Sequence, residues 1–303
     1  MESPHLCQPD SGKSCGACCG LYNYRGSNRS NLEVRLKRRT EAFRRFERYT
    51  PQALEKFSDW VRSTEPQEKL LETIYNCEFL GFLDSECRKV GCLLHPCRHD
   101  GRDLRGCSFY GAELCDGHLC LSYQKLTREE KWAVILSLED WYLYGICITD
   151  IDLVKSFFSL AAERIGAGPS LSVISRPSVL RAVKDFLSLK VSWPYRTDDE
   201  GRFGKYCLAE DEYREACIPY EEFGCRKSRY DAIFLSLASE FSSAEDLRAA
   251  ERLIERKIAA FVRSCEGDDG PDNAEEEARR RESVEDVYGT TGFNFFNNIW
   301  FLT

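Results

Sequence analysis

The chain has 303 residues, of which 43% are hydrophobic and 12% aromatic, and it carries a formal net charge of -8. That is enough for one large or two ordinary domains with a proper core. The acidic balance argues against a general nucleic-acid binder, which carries a basic footprint. The opening "MESPHLCQPDSGK" lacks the basic and then apolar pattern of a signal peptide, and no run reaches the ~18 apolar residues of a bilayer span. The expectation is a cytoplasmic protein without a membrane partner.

In chain order, the first distinctive stretch is "SGKSCGACCG", with Cys15, Cys18 and Cys19 in five positions and glycines on both sides. Residues 31–75 then carry the pattern of inserted helices. The first is a basic helix with Leu36, Phe43 and Phe46 on one side. A second starts at Pro51, capped by Thr50, with Leu54, Phe57 and Val61 inward. From Arg35 to Arg48 seven Arg or Lys residues stand against two Glu, a candidate face for an acidic or protein partner.

The second cysteine group runs from Cys77 to Cys120, with seven cysteines and three histidines, His95, His99 and His118. Beyond it the pattern is helical. Thr127 and Glu130 form a capping box opening a helix onward to Tyr144. Asp150 caps another, with Leu153, Phe157, Ala161 and Ile165 on one face, stopped at Gly166. Helical spacing returns at 177–189 and 227–241. Ser242 and Glu245 open a last long helix with a stripe of Leu247, Ala250, Ile254, Ile258 and Phe261. An acidic linker and the apolar "GFNFFNNIWFLT" close the chain. No period of 2 is sustained enough to predict a sheet. The expected fold is mainly α: a cysteine-cluster region over 1–125, a helical region over 126–265, and a linker and apolar tail over 266–303 expected to dock on the body.

Sixteen cysteines are many for a reducing compartment, and eleven of them lie in the first 120 residues. There, clustered thiols more often bind metal than form disulfides. C-x-x-C turns two thiolates onto one ion, and the flanking glycine lets the backbone wrap closely. Neighbouring side chains diverge, so one of Cys18 and Cys19 joins Cys15 while the other faces a second metal or the core. Cys15, Cys18, Cys19, Cys77, Cys92, Cys115 and Cys120 are the metal-ligand candidates, with Cys7, Cys87, Cys97 and Cys107 behind them. Ten thiols in the two groups suffice for two four-coordinate sites with two left over. His95, ahead of Pro96, is a candidate for loop support or for a hydrogen bond to a thiolate, and His95 and His118 stand behind the cysteines as metal ligands. Cys207, Cys217 and Cys225 have no paired spacing, and Cys147 and Cys265 sit on apolar helix faces as core thiols. An all-thiolate set suits zinc or an iron–sulfur cluster, in one or two sites, and does not separate them.

Cys15-Gly16-Ala17-Cys18-Cys19, then Cys77-Glu78-Phe79-Leu80, then Gly91-Cys92-Leu93-Leu94-His95-Pro96, resembles the YkgJ-type cysteine-cluster family of zinc- or iron-chelating proteins. The likeness covers about residues 7–120. It departs where the family places a first cysteine, here Gly12, and in the shorter spacing from Cys92 through Pro96 to Cys97. The resemblance implies metal binding and no defined reaction, although flagellin lysine methylases share the cysteine run. No P-loop, G-x-G-x-x-G, H-E-x-x-H or G-x-S-x-G motif is present. Two readings follow. One is a metal-binding protein without turnover. The other is a metal-dependent or iron–sulfur enzyme, redox or methylase-like, with the helical half as its substrate pocket.

Overall fold

The computed structural model describes residues 4–199, 202–209 and 212–267. The fold is mainly α, and the acidic linker and apolar tail lie outside the described residues apart from Glu266 and Gly267. In the N-terminal part, helix α1 (Arg29–Arg44) starts where the Asn28 side chain accepts from the Asn31 amide, and α2 (Pro51–Thr64) starts at Thr50, whose hydroxyl accepts from Ala53 N–H. Phe46 lies just past the end of α1 instead of on it, and no helix continues through 65–75. Strands β1 (Leu80–Phe82) and β2 (Val90–Cys92) form an antiparallel pair with Gly81 opposite Gly91. Three residues per strand are too few for a period of 2 to register in the sequence. Gly81 is required because α1 lies against it: a Cβ there would meet Thr40 Oγ1 at 2.6 Å, and that oxygen accepts the Phe82 amide at 2.7 Å.

Short helices α3 (Gly111–Gly117) and α4 (Leu121–Lys125) lead into the helical half. The capping box of Thr127 and Glu130 is present and opens α5 (Arg128–Ser137). The helix does not continue to Tyr144. It stops at Leu138, and Asp140 caps a new one, α6 (Trp141–Ile148), by accepting from Leu143 N–H. A carboxylate two residues beyond a buried leucine is a start signal that the unbroken apolar run concealed. Then come α7 (Ile151–Ile165), capped by Asp150 and ended by Gly166 in the left-handed region, α8 (Leu171–Ile174), α9 (Pro177–Leu187) and α10 (Leu189–Ser192).

A second small sheet, β3 (Arg202–Phe203), β4 (Tyr206–Ala209) and β5 (Glu212–Glu215), is antiparallel throughout. It interrupts what the sequence presents as helix and loop. Of the span 227–241 only α11 (Asp231–Ser236) is α-helical. The last helix, α12 (Ala244–Glu266), is capped by Ser243, whose hydroxyl accepts from the Asp246 amide, so the cap sits one residue later than Ser242 and no box pairs Ser242 with Glu245.

Helices α5, α6, α7, α9, α11 and α12 pack around one continuous core. Its centre stacks Phe157 on Phe186 at 4.1 Å and sets Phe261 against Phe157 at 4.8 Å. Cys147 is buried there, and Cys265 packs at the margin. The N-terminal part instead has two smaller apolar clusters spaced along α1, one containing its Leu32 and Leu36 and the other its Phe43. Between them Arg39, 1% exposed, binds the Glu65 carboxylate through Nε and Nη2, the Cys77 carbonyl at 2.9 Å and the Tyr24 hydroxyl at 2.9 Å. Arg35 also pairs with Glu65, and Arg38 lies over the Trp60 ring at 4.9 Å. Three charges of the basic segment 35–48 therefore serve internal contacts, which reduces the surface offered to an acidic partner. Among the described residues no helix is long and apolar enough to cross a membrane.

The two parts meet at α6. Tyr22 lies against Gly145, where a Cβ would fall 1.8 Å from its hydroxyl oxygen, and Phe82 meets Trp141 edge to face at 5.9 Å. Leu6 crosses over: it is buried in the helical core, and its carbonyl accepts from the Tyr144 hydroxyl at 2.8 Å.

Candidate metal centre

The stretch "SCGACCG" folds as a single 3₁₀ turn, Ala17–Cys19, bounded by two glycines with separate tasks. Gly16 accepts the Cys19 and Leu21 amides and packs on Leu21, where a Cβ would sit at 3.0 Å. Gly20 has φ of +79° and lies against Asn76 and the Tyr75 carbonyl, which a Cβ would meet at 2.5 Å. A side chain at Gly20 is excluded by both conformation and space. At three residues per turn, successive side chains leave the axis about 120° apart. Cys18 and Cys19 accordingly join different partners.

Cys7, Cys15, Cys18 and Cys120 form one set, close enough that each of the first three is held more firmly protonated by its neighbours. The Cys7 carbonyl accepts the Cys15 amide at 2.8 Å, which ties the N-terminal strap to the turn. The interaction between Cys18 and Cys120 raises the Cys18 pKa and lowers that of Cys120. Cys19, Cys77, Cys92 and Cys115 form the second set: the last three all act on Cys19, Cys92 acts on Cys77, and Cys115 acts on Cys92. Cys77 donates its amide to the Cys19 carbonyl at 2.9 Å, and Cys115 Sγ lies 3.7 Å from the Ser108 hydroxyl.

Burial dominates the shifts of the inner thiols. Cys15 and Cys77 are pushed up to about 12 and Cys92 to about 11, because desolvation disfavours the charge and outweighs the pull of Arg39 on Cys77 and of Arg105 on Cys92. Against this, backbone amides a short step along the chain donate to sulfur: Ala17 to Cys15, Phe79 to Cys77, Leu94 to Cys92, and Ser122 and Tyr123 to Cys120. Four loops thus direct N–H groups at four sulfurs, which orients each toward holding negative charge.

All eight thiols line one cavity of about 510 Å³. Its wall also contains His5, His95, His118, Arg105, Tyr110 and Asp116, and the helical half contributes Ile148 and Thr149. Arg105 is committed to Asp103 and Asp116 at 2.7 and 3.0 Å. His95 Nδ1 accepts the Cys97 amide at 3.2 Å and so caps the turn at Pro96, and burial lowers its pKa. His99 Nε2 pairs with the Leu93 carbonyl at 2.7 Å. Among the described residues no group of three or more His, Cys, Asp or Glu is closed into an arrangement that could hold a metal ion. The described cysteines are all free thiols.

The seven first-rank cysteine candidates therefore face this cavity, joined by Cys7. Cys87, Cys97 and Cys107 do not line it: Cys97 and Cys107 are exposed on 3₁₀ turns, and Cys87, at φ of +57°, packs beside the cluster around Leu21. The division into two sets of four has no sequence signature, because Cys7 and Cys120 are far apart in the chain and the strap carrying Cys7 is positioned by Leu6. A second cleft, lined by Thr127, Glu130, Lys155, Glu163 and Arg229 in the helical half, contains no cysteine. No protein-family model, curated protein or solved structure matches the chain.

Proposed function

We propose that the loop-rich region ahead of the helical half is a metal-binding module with two all-thiolate sites, Cys7/Cys15/Cys18/Cys120 and Cys19/Cys77/Cys92/Cys115. The carrying observation is the convergence of eight free thiols on one cavity, with backbone amides directed at four of the sulfurs. Buried thiols without a cation are costly to ionise, and a bound divalent ion supplies the missing charge. Ligation draws each set inward by side-chain rotation about χ1, the cheapest motion available to cysteine. The donor set suits zinc first, with an iron–sulfur cluster as the other thiophilic occupant. The sequence resemblance to the YkgJ-type family points the same way, and free thiols in this number suit a reducing, cytoplasmic setting. The role is metal binding that organises the N-terminal half, without a reaction assigned.

Elemental analysis and a visible spectrum on chain purified without oxygen test this. Two zinc per chain and no visible band are expected. Iron with acid-labile sulfide and a band near ~400 nm would keep the thiolate sites and change the occupant. Metal-free chain with all thiols titratable, or with disulfides, would overturn the proposal. Cys19→Ser is expected to lower the count from two to one, and Cys107→Ser to leave it at two.

A further inference from the structure

Eight large apolar side chains stand exposed among the described residues, and four of them fall between 109 and 121. Each of the four adjoins a residue in the wall of the thiol cavity: Phe109 precedes Tyr110, Leu114 precedes Cys115 and is itself in the wall, and Leu119 and Leu121 flank Cys120. They therefore rim one mouth of that cavity. Phe109, 67% exposed, lies flat on Tyr75 at 4.0 Å, which leaves its other face to water. The remaining four, Val34, Leu136, Val191 and Tyr206, are scattered over α1, α5, α10 and β4. Single exposed apolar residues are ordinary, whereas a group of them at the mouth of a cavity marks an interaction surface.

We propose that this rim is the docking surface for the chain's own C-terminal segment, residues 293–302, which lies over the mouth of the thiol cavity. Composition favours this occupant: Phe293, Phe295, Phe296, Ile299, Trp300, Phe301 and Leu302 fall in ten positions that contain no charge, so rim and segment both remove apolar surface from water when they meet. Length permits it. The chain leaves the described structure after Gly267, the left-handed cap of α12. Residues 268–289 can span up to about 70 Å when extended, well beyond the radius of gyration of about 18 Å expected for a body of this size. Tethering also favours it over a second copy or another protein, because a segment on the same chain is presented at an effective concentration on the order of 1 mM. Docked there, the segment stands between solvent and the thiols and slows the exchange of metal. That consequence rests on the metal-binding reading above, whereas the docking does not.

The experiment is photo-crosslinking on the full chain carrying Phe109→benzoylphenylalanine, with crosslinked peptides mapped by mass spectrometry. Val34→benzoylphenylalanine, at a position on α1 that is 68% exposed, is the control. The expected product is a dominant crosslink within one chain from 109 to 293–302, unchanged on dilution and absent from 34. Phe296→Asp together with Trp300→Asp should abolish it, with circular dichroism confirming that the variant folds. Crosslinks from 109 only between chains would assign the rim to a second copy and overturn the proposal. So would crosslinks to 293–302 from both positions equally, or from neither. On zinc-loaded full chain the same double variant is expected to lose metal to a chelator about tenfold faster. An unchanged rate with the crosslink formed in the parent chain would overturn the covering role alone. The crosslink in a chain that binds no metal would refute the metal reading and leave the docking standing.

Discussion

The two halves of this molecule reach order by different physical means. The helical half buries a single apolar mass in which Phe157, Phe186 and Phe261 touch, and its helices carry caps at Thr127, Asp140, Asp150 and Ser243. The N-terminal half divides its apolar residues into two clusters, fills the space between them with Arg39 and Glu65, and turns eight thiols toward a cavity. Hydrophobic burial is non-directional and tolerates small shifts. Charges and thiols out of water need a partner in the right place. The helical half is therefore expected to hold its shape with less help from specific partners than the N-terminal half.

If the thiolate sites hold metal as proposed, removing it should separate the halves most sharply. Structural thiolate sites contribute on the order of 10 kcal/mol each. Chelation is thus expected to abolish the near-ultraviolet aromatic signal of Tyr22, Tyr75 and Tyr110 and to leave most far-ultraviolet helix signal in place. Simultaneous loss of both signals would mean that the halves fold as one unit.

Substitutions sharpen the contrast further. Phe157→Ala should cost about 3–5 kcal/mol by opening a cavity in the helical core, with the metal content per folded chain unchanged. Arg39→Ala should cost about 3 kcal/mol because Glu65 loses its fully buried partner, and here metal content should fall as well, since the Cys77 carbonyl loses its donor. Denaturant titration with metal analysis on the same samples distinguishes the two. Gly145→Ala places a methyl group against the Tyr22 ring. An overpacking cost of about 1–3 kcal/mol is expected, read as earlier separation of the two halves in thermal unfolding. Smallest is Thr127→Ala, which removes a cap worth about 1 kcal/mol and should lower only the helical transition.

The helical half was the more legible in sequence. Caps at Thr127 and Asp150 and the apolar stripe ending at Phe261 announced helices that the fold contains, because capping and amphipathic periodicity are local properties. Where local signals are weak or overlap, sequence and structure part: the break at Leu138 hides inside an apolar run, the cap at Ser243 stands beside an equally suitable Ser242, and strands of two to four residues are too short for a pattern. For the candidate centre, residue type and spacing selected the seven principal cysteines that now face one cavity.

What sequence could not supply was their grouping. Cys18 and Cys19 diverge because a 3₁₀ turn separates neighbours by a third of a turn. Cys7 arrives on a strap held by Leu6 in the opposite half, and Cys120 arrives at the start of α4. Local chemistry, carried by each residue and its near neighbours, was determined by the sequence alone. Which distant thiols share a site was decided only by the tertiary structure, because packing between remote segments sets those distances.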